Sequence, residues 1–350
     1  MGDKKQSRQA IERAAQKVAD NALPHVRAAF SHADKYTALE GMAFGVIPTM
    51  LLKSSYDEAR RSQRDNLEDG VHKLEAAIGG LAKVAYKIDS TEAANTITTS
   101  ASAPKPKVEP PKAEPSAVTA ATGVPAALGF GLYPAWLAGA ILKWSMTPVC
   151  AVAAISGTIW LLCQPQDEEI NKVVSAWESA SSELAAAGDI PQLMNLSPEV
   201  WTDDARDAFD AWINNYQTEL TQAKDAAGGE SGVAKELGDA LTAIDGILAT
   251  MAIFDAACLS VMIACWIAEA FPLTRPAAMA VKYATAIANA LGTGASVGGA
   301  AVLLMGFGGN IANISFNGEF TKLDVKNEPG EQYGVDSTKD TFVDLDITWA

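Results

Sequence analysis

The sequence predicts an all-α protein of long antiparallel helical hairpins plus two hydrophobic hairpins of transmembrane length, closed by a short β-leaning tail. Three observations carry that reading. Hydrophobic residues make up 49% of the chain but aromatics only 7%, so the apolar mass is largely Ala, Leu, Ile and Val, and Ala leads the scale of helix propensity. Three stretches, Val124–Cys163, Gly246–Phe271 and Ala284–Gly308, are almost free of charge. The other long segments repeat apolar residues at steps of three and four, the period of an amphipathic helix.

Charge is unevenly placed. The net charge is −15, which argues against nucleic acid as a partner because phosphates demand a basic surface. Residues 1–100 are nearly balanced, with 14 Lys/Arg against 13 Asp/Glu. Residues 165–245 hold 4 against 17, and residues 311–350 hold 3 against 8. The acidity therefore belongs to the middle region and the tail.

Residues 1–89 read as the first helical hairpin. Ile11, Ala15, Val18, Ala22, Ala29, Ala33 and Tyr36 form one stripe of a helix over Gln6–Thr37, with Pro24 expected to kink or split it. Gly41-Met-Ala-Phe-Gly45 ends that period. A second helix is expected from about Thr49 to Ile88, with Leu67, Val71, Leu74, Ile78, Leu81 and Ala85 on one face. Two such helices joined by a short turn bury their stripes by packing antiparallel. Met1–Ala10 is polar and lacks the apolar core of a Sec-type signal peptide.

Residues 90–123 are a Pro/Ser/Thr/Lys/Glu tract, including Lys105-Pro-Lys-Val-Glu-Pro-Pro-Lys112. A composition of this kind cannot bury a core and is expected to be a disordered linker. Residues 124–163 then run for 40 positions with Lys143 as their only charge. About 20 apolar residues cross a bilayer as a helix, so Val124–Leu142 and Trp144–Cys163 fit two spans turning at Lys143-Trp144.

Residues 164–245 form the acidic helical region. Asp167–Ala187 carries Ile170, Val173, Val174, Trp177 and Leu184 on one side, and Gly188–Pro198 reads as a loop. The next helix has the stripe Trp201, Ala205, Ala208/Phe209, Trp212, Tyr216 and Leu220. A third helix from Val233 is expected to run on into the second hydrophobic hairpin, residues 246–310. There Asp255 is the ionisable group of an otherwise apolar span and is expected, like Lys143, to face an oligomer interior or the membrane interface. Gly294-Ala-Ser-Val-Gly298 is a small-x-x-x-small motif suited to close helix packing. Residues 311–350 close the chain as an acidic tail. In it, Phe316–Val325 and Thr341–Trp349 alternate in the β manner around Pro329-Gly330.

Two stretches resemble the WXG/ESX family, the small helical hairpins exported by type VII secretion. Ala43-Phe-Gly45 lies between two long helices, is followed by Tyr56, and its second helix ends at Ala85-Tyr-Lys-Ile-Asp89. Val200-Trp-Thr-Asp-Asp-Ala-Arg-Asp-Ala-Phe209 resembles the helix that begins at the family's Trp-x-Gly turn, with Asp203 where the family has Gly. The resemblance implies helical hairpins, export by a non-Sec route or residence in the cell membrane, and self-association or a WXG-like helical partner. It also points to Tyr86 and Asp89 as a candidate secretion signal, although Asp89 follows Tyr86 by three residues where the family's Tyr-x-x-x-Asp/Glu requires four. Tyr36-Thr-Ala-Leu-Glu40 has the spacing but precedes the turn. Physically, Phe44 and Gly45 at the first turn, and Trp201, Phe209 and Trp212 at the second helix, are expected to anchor the hairpin seams.

Motifs of catalysis are missing from the sequence. Cys150, Cys163, Cys258 and Cys265 lack metal-ligand spacing, and His25, His32 and His72 supply no evident third ligand. No G-x-S-x-G, phosphate loop or H-E-x-x-H occurs. The acidic group Asp203, Asp204, Asp207 and Asp210 suits a helix N-terminus. The sequence reads as a non-enzymatic protein without cofactor or metal, with the lipid bilayer as its expected partner. The alternative is an α-helical pore-forming toxin that shields its apolar hairpin until insertion.

Overall fold

The computed structural model describes residues 2–88, 158–159, 161–196, 204–271 and 273–314, and in the tail 320, 323, 326–327, 331–332 and 347–348. The linker, most of the first hydrophobic hairpin with Lys143, and Asp89 and Trp201 lie outside the described residues. The fold is all-α. Its helices are α1 (Gly2–Asn21), α2 (Leu23–Tyr36), α3 (Val46–Ile88), α4 (Asp167–Ala186), α5 (Ile190–Leu193), α6 (Asp204–Gly228), α7 (Val233–Glu269) and α8 (Arg275–Ile314). Three two-residue strands, Lys326–Asn327, Glu331–Gln332 and Ile347–Thr348, pair antiparallel in the tail.

Pro24 splits the first helix. It takes one of the first two positions of α2, where a missing N–H breaks no helical bond. The chain stays nearly continuous there, since the Ala22 amide donates to the Val18 carbonyl at 3.0 Å. The expected stripe of α3 is wholly buried from Leu67 to Ala85, and α3 packs on both α1 and α2. The helix expected from Val233 runs unbroken to Glu269. Residues Gly188–Pro198, expected as a loop, contain the one-turn helix α5, whose N-cap Asp189 accepts from the Gln192 amide at 2.9 Å.

The turn between α2 and α3 is held from three sides. Gly41 and Gly45 adopt positive φ values of 50° and 85°, a region favouring glycine. The Tyr56 hydroxyl donates to the Thr37 carbonyl, and Arg60 donates to the Thr37 hydroxyl at 2.9 Å and to the Asp34 carbonyl at 2.9 Å. These bonds occupy carbonyl groups that the end of α2 would otherwise leave without partners. Trp177 of α4 donates its indole N–H to the same Tyr56 oxygen at 3.1 Å. One buried hydroxyl thus ties three elements, and burial pushes its pKa well above the ordinary tyrosine value.

A single core runs through α1 to α4, α6, the first half of α7 and the last turns of α8. Its largest fully buried side chains include Trp177, Tyr56, Tyr216, Phe44, Phe209 and Phe320. Phe320 comes from the tail. It lies over Gly70 of α3, where a Cβ would come within 2.9 Å of the ring, and against Tyr216. The Tyr216 hydroxyl donates to the Gly70 carbonyl at 2.9 Å, and the Phe320 amide donates to Asn66 at 2.8 Å.

Candidate membrane-inserting hairpin

α7 and α8 leave the core together. On α7 the positions that belong to the bundle core run from Val233 to Met251; beyond them Ile253, Phe254, Val261, Ile263 and Ile267 are exposed, while Cys258 and Cys265 are buried outside that core. On α8 the order is reversed: Met279, Val281, Ile287, Leu291, Val302 and Leu303 are exposed, and Leu304, Ile311 and Ile314 return to the core. From residue 252 to 269 the pair therefore projects by roughly 27 Å at 1.5 Å per residue, close to the ~30 Å of a bilayer's hydrocarbon core. Both helices are long and apolar enough to cross a membrane.

The sequence accounts for both the exposure and the pairing. From Tyr283 to Ile314, α8 contains no charged residue. Its contact face is rich in Ala and Gly, which lets the helices approach closely. A Cβ on Gly292 would come within 2.5 Å of the Phe254 ring. At the foot, a Cβ on Gly308 would stand 3.5 Å from the Leu51 carbonyl oxygen and the Ser55 hydroxyl of α3. Gln63 donates to the Ile314 carbonyl at 3.2 Å. The hairpin is rooted in the helical bundle by α3.

Three polar contacts at three heights set its register. At the foot, Asn310 donates to Glu236 at 3.2 Å. Midway, Asn289 donates to the Asp255 carboxylate at 2.9 Å, and Thr293 donates to the Asn289 amide oxygen at 3.2 Å. At the tip, Lys282 pairs with Glu269 at 3.2 Å and lies 5.9 Å from the centre of the Trp266 ring. Asp255 is 4% exposed. A polar side chain in lipid is tolerated when it finds a partner on a neighbouring helix, and here the partner belongs to the same hairpin. The tip itself, with Phe271, Leu273 and Arg275 beside Trp266 and Lys282, has the mixed aromatic and basic character of an interfacial anchor.

The other sequence-predicted residues fall in two groups. Phe44 is fully buried, and Gly45 packs so tightly that a Cβ would stand 2.7 Å from the Cys163 carbonyl carbon. Phe209 and Trp212 are buried in the core, with Trp212 stacked on Tyr216 at 5.6 Å. These are seam positions. Gly294 and Gly298, read from the sequence as packing sites, meet no atom within 4 Å of a built Cβ among the described residues. Close approach occurs at Gly292 and Gly308 instead. Asp255 is brought together with Asn289 and Thr293, a grouping that Asn289, a polar residue within the apolar run of α8, could have flagged. Tyr86 lies in α3, three residues before Asp89.

The histidines are dispersed. His25 bonds Glu183 at 2.7 Å across α2 and α4, and buried His32 stands 6.1 Å from Tyr36 between ring centres. His72 lies near Glu75, which also receives Arg27 at 2.6 Å. Burial opposes ionisation of Glu75, but the bonds and charges of His72 and Arg27 prevail and hold its carboxyl below the usual range. The bond to Glu75 in turn raises the His72 pKa. Comparison with known proteins returned no matching family model, curated protein or solved structure.

Proposed function

We propose that this is a non-enzymatic, membrane-associated, WXG-like helical protein of type VII secretion, acting as an exported, structural or channel-forming component. The observation that carries the membrane half of this reading is the projecting α7–α8 pair, whose apolar side chains stand clear of the bundle. Leu291 is 70% exposed and Ile287 62%. A large apolar side chain gains on the order of 1.5–3 kcal/mol on leaving water, so the several along this pair favour lipid strongly. The bundle then acts as a soluble platform, and the hairpin as its anchor. The secretion half rests on the first hairpin, α1/α2 against α3, with Phe44 and Gly45 at its turn.

The test is a carbonate wash of membranes from expressing cells, with the culture medium assayed in parallel in cells with and without a working type VII machine. Wild-type protein is expected in the washed pellet, and Ile287→Lys/Leu291→Lys is expected to be released from it. Appearance in the medium only when the machine works supports export. Soluble wild-type protein in the medium regardless of the machine would overturn both halves and favour a toxin that inserts later.

A further inference from the structure

α2 meets α4 along a seam that holds two histidines and one carboxylate. His25 and His32 stand seven residues apart on α2, roughly 10 Å along its axis. The His25 Nδ1 atom bonds Glu183 of α4 at 2.7 Å. His32 sits deeper, at 7% exposure, on a helix that also buries Val26, Ala29 and Ala33. Its Nδ1 atom is enclosed and has no hydrogen-bond partner among the described residues. The imidazolium form fits this position worse than the neutral ring, since both of its nitrogens are donors and its charge is cut off from water. Burial accordingly lowers the His32 pKa, and the Glu183 charge opposes that shift without reversing it. The other charges around α2 are engaged elsewhere. On α3, Glu75 receives Arg27 at 2.6 Å, and Arg60 donates to the Thr37 hydroxyl and the Asp34 carbonyl at 2.9 Å. Asp20, at the end of α1, accepts from Gln16 at 2.8 Å. On α4, the backbone of Glu178 lies toward Gly228 of α6, and Glu183 is the charge that acts on His32. On α2 itself Asp34 and Lys35 are exposed, and the Tyr36 ring centre lies 6.1 Å from that of His32.

We propose that the α2–α4 seam is an acid-sensitive joint, which opens when His32 takes up a proton. The proposal stands apart from the membrane reading, since every residue it uses lies in the helical bundle. Its direction follows from linkage. With a folded value below the ordinary 6.5, His32 leaves the seam at full strength above pH 6.5. The seam weakens as pH falls from 6.5 toward the lowered folded value, by up to about tenfold in the folding equilibrium per pH unit. The joint also borders the root of the projecting hairpin. α4 carries Trp177, whose indole bonds Tyr56 of α3, and α4 packs on α7. Acid loosening of the α2–α4 contact therefore acts on the helix that holds both α3 and α7.

Urea unfolding of the full-length chain in a non-ionic detergent, followed from pH 7.5 to 5.5, tests this with His32→Leu and His32→Gln. Relative to either variant, wild type is expected to lose roughly three- to tenfold in its folding equilibrium constant between pH 6.5 and 5.5. His25→Gln is expected to keep that loss, which assigns it to the buried ring and not to the ring bonded to Glu183. Hydrogen exchange at pH 5.5 locates the opening, because comparison at one pH cancels the intrinsic exchange rate. Peptides covering 23–36 and 167–186 are expected to exchange several-fold faster in wild type than in His32→Leu, and those covering 204–228 at equal rates. An unchanged gap between wild type and both His32 variants over this range would overturn the proposal. So would a loss that disappears in His25→Gln, or faster exchange spread evenly over the bundle.

Discussion

At the scale of single residues, the account turns on a few polar groups in apolar surroundings. Asp255, Asn289 and Thr293 form a buried polar group midway along α7 and α8. Asn289→Leu takes away the amide that donates to Asp255, and a buried acceptor losing a partner costs about 1–3 kcal/mol. The triple variant Asp255→Leu/Asn289→Leu/Thr293→Val is expected to recover most of that loss, because it removes all three polar side chains of the group together. Thermal midpoints in detergent compare the two. The Arg27–Glu75–His72 group sets a pH dependence in the helical bundle. Glu75, held below its ordinary 4.5, contributes stability that is full above pH 4.5 and lost as pH falls through its lowered folded value. His72, held above its ordinary 6.5, contributes stability that is full below pH 6.5 and lost as pH rises through its raised folded value. The denaturation difference between wild type and Glu75→Gln is therefore expected to be largest between pH 4.5 and 6.5 and to shrink on either side. His32, lowered chiefly by burial against a raising influence from Glu183, is common to both proteins and cancels in that difference.

At the scale of elements, the turn at residues 41–45 is where sequence pattern and geometry coincide most closely. Gly45→Ala forces a side chain into a positive-φ position and against the backbone of Cys163 and Gln164. Destabilisation of about 2–4 kcal/mol is expected, visible as a lower denaturant midpoint, since strain and overpacking each contribute on the order of 1–3 kcal/mol. Helix stripes were legible because burial follows the 3.6-residue period: Leu67 through Ala85, and Phe209 through Leu220, are buried as the pattern requires. Contacts between distant elements were not. Nothing in the sequence pairs Trp177 with Tyr56, or Phe320 with Gly70, since periodicity describes one helix and is silent about its neighbours. Helix α5 was missed because one turn is shorter than any detectable period, although Asp189-Ile190-Pro191 carries the N-cap and early proline of a helix start. The expected packing role of Gly294 and Gly298 shows the same limit, for the motif states that close approach is permitted and not which helix makes it.

At the scale of the whole molecule, the helical bundle and the hydrophobic hairpin are continuous with each other. α7 begins in the core at Val233 and ends at an exposed tip, and α8 returns to α3. Any movement of the hairpin is therefore mechanically linked to the bundle. Met42, Met50 and Leu161 are exposed near the foot of the hairpin, where an apolar side chain can rest against the interface.

The measurement that tests this arrangement most directly is two-sided labelling of a tip cysteine and a foot cysteine. Leu273→Cys and Asp239→Cys are placed singly in a chain whose native cysteines are Ser, and sealed vesicles are treated with a membrane-impermeant maleimide before and after opening. Leu273 is 97% exposed and Asp239 lies on the exposed side of the first turns of α7, so both sites are reactive when the reagent reaches them. The expected result is labelling of the two positions from opposite sides of the membrane. Labelling of both from the same side would contradict a membrane-crossing hairpin.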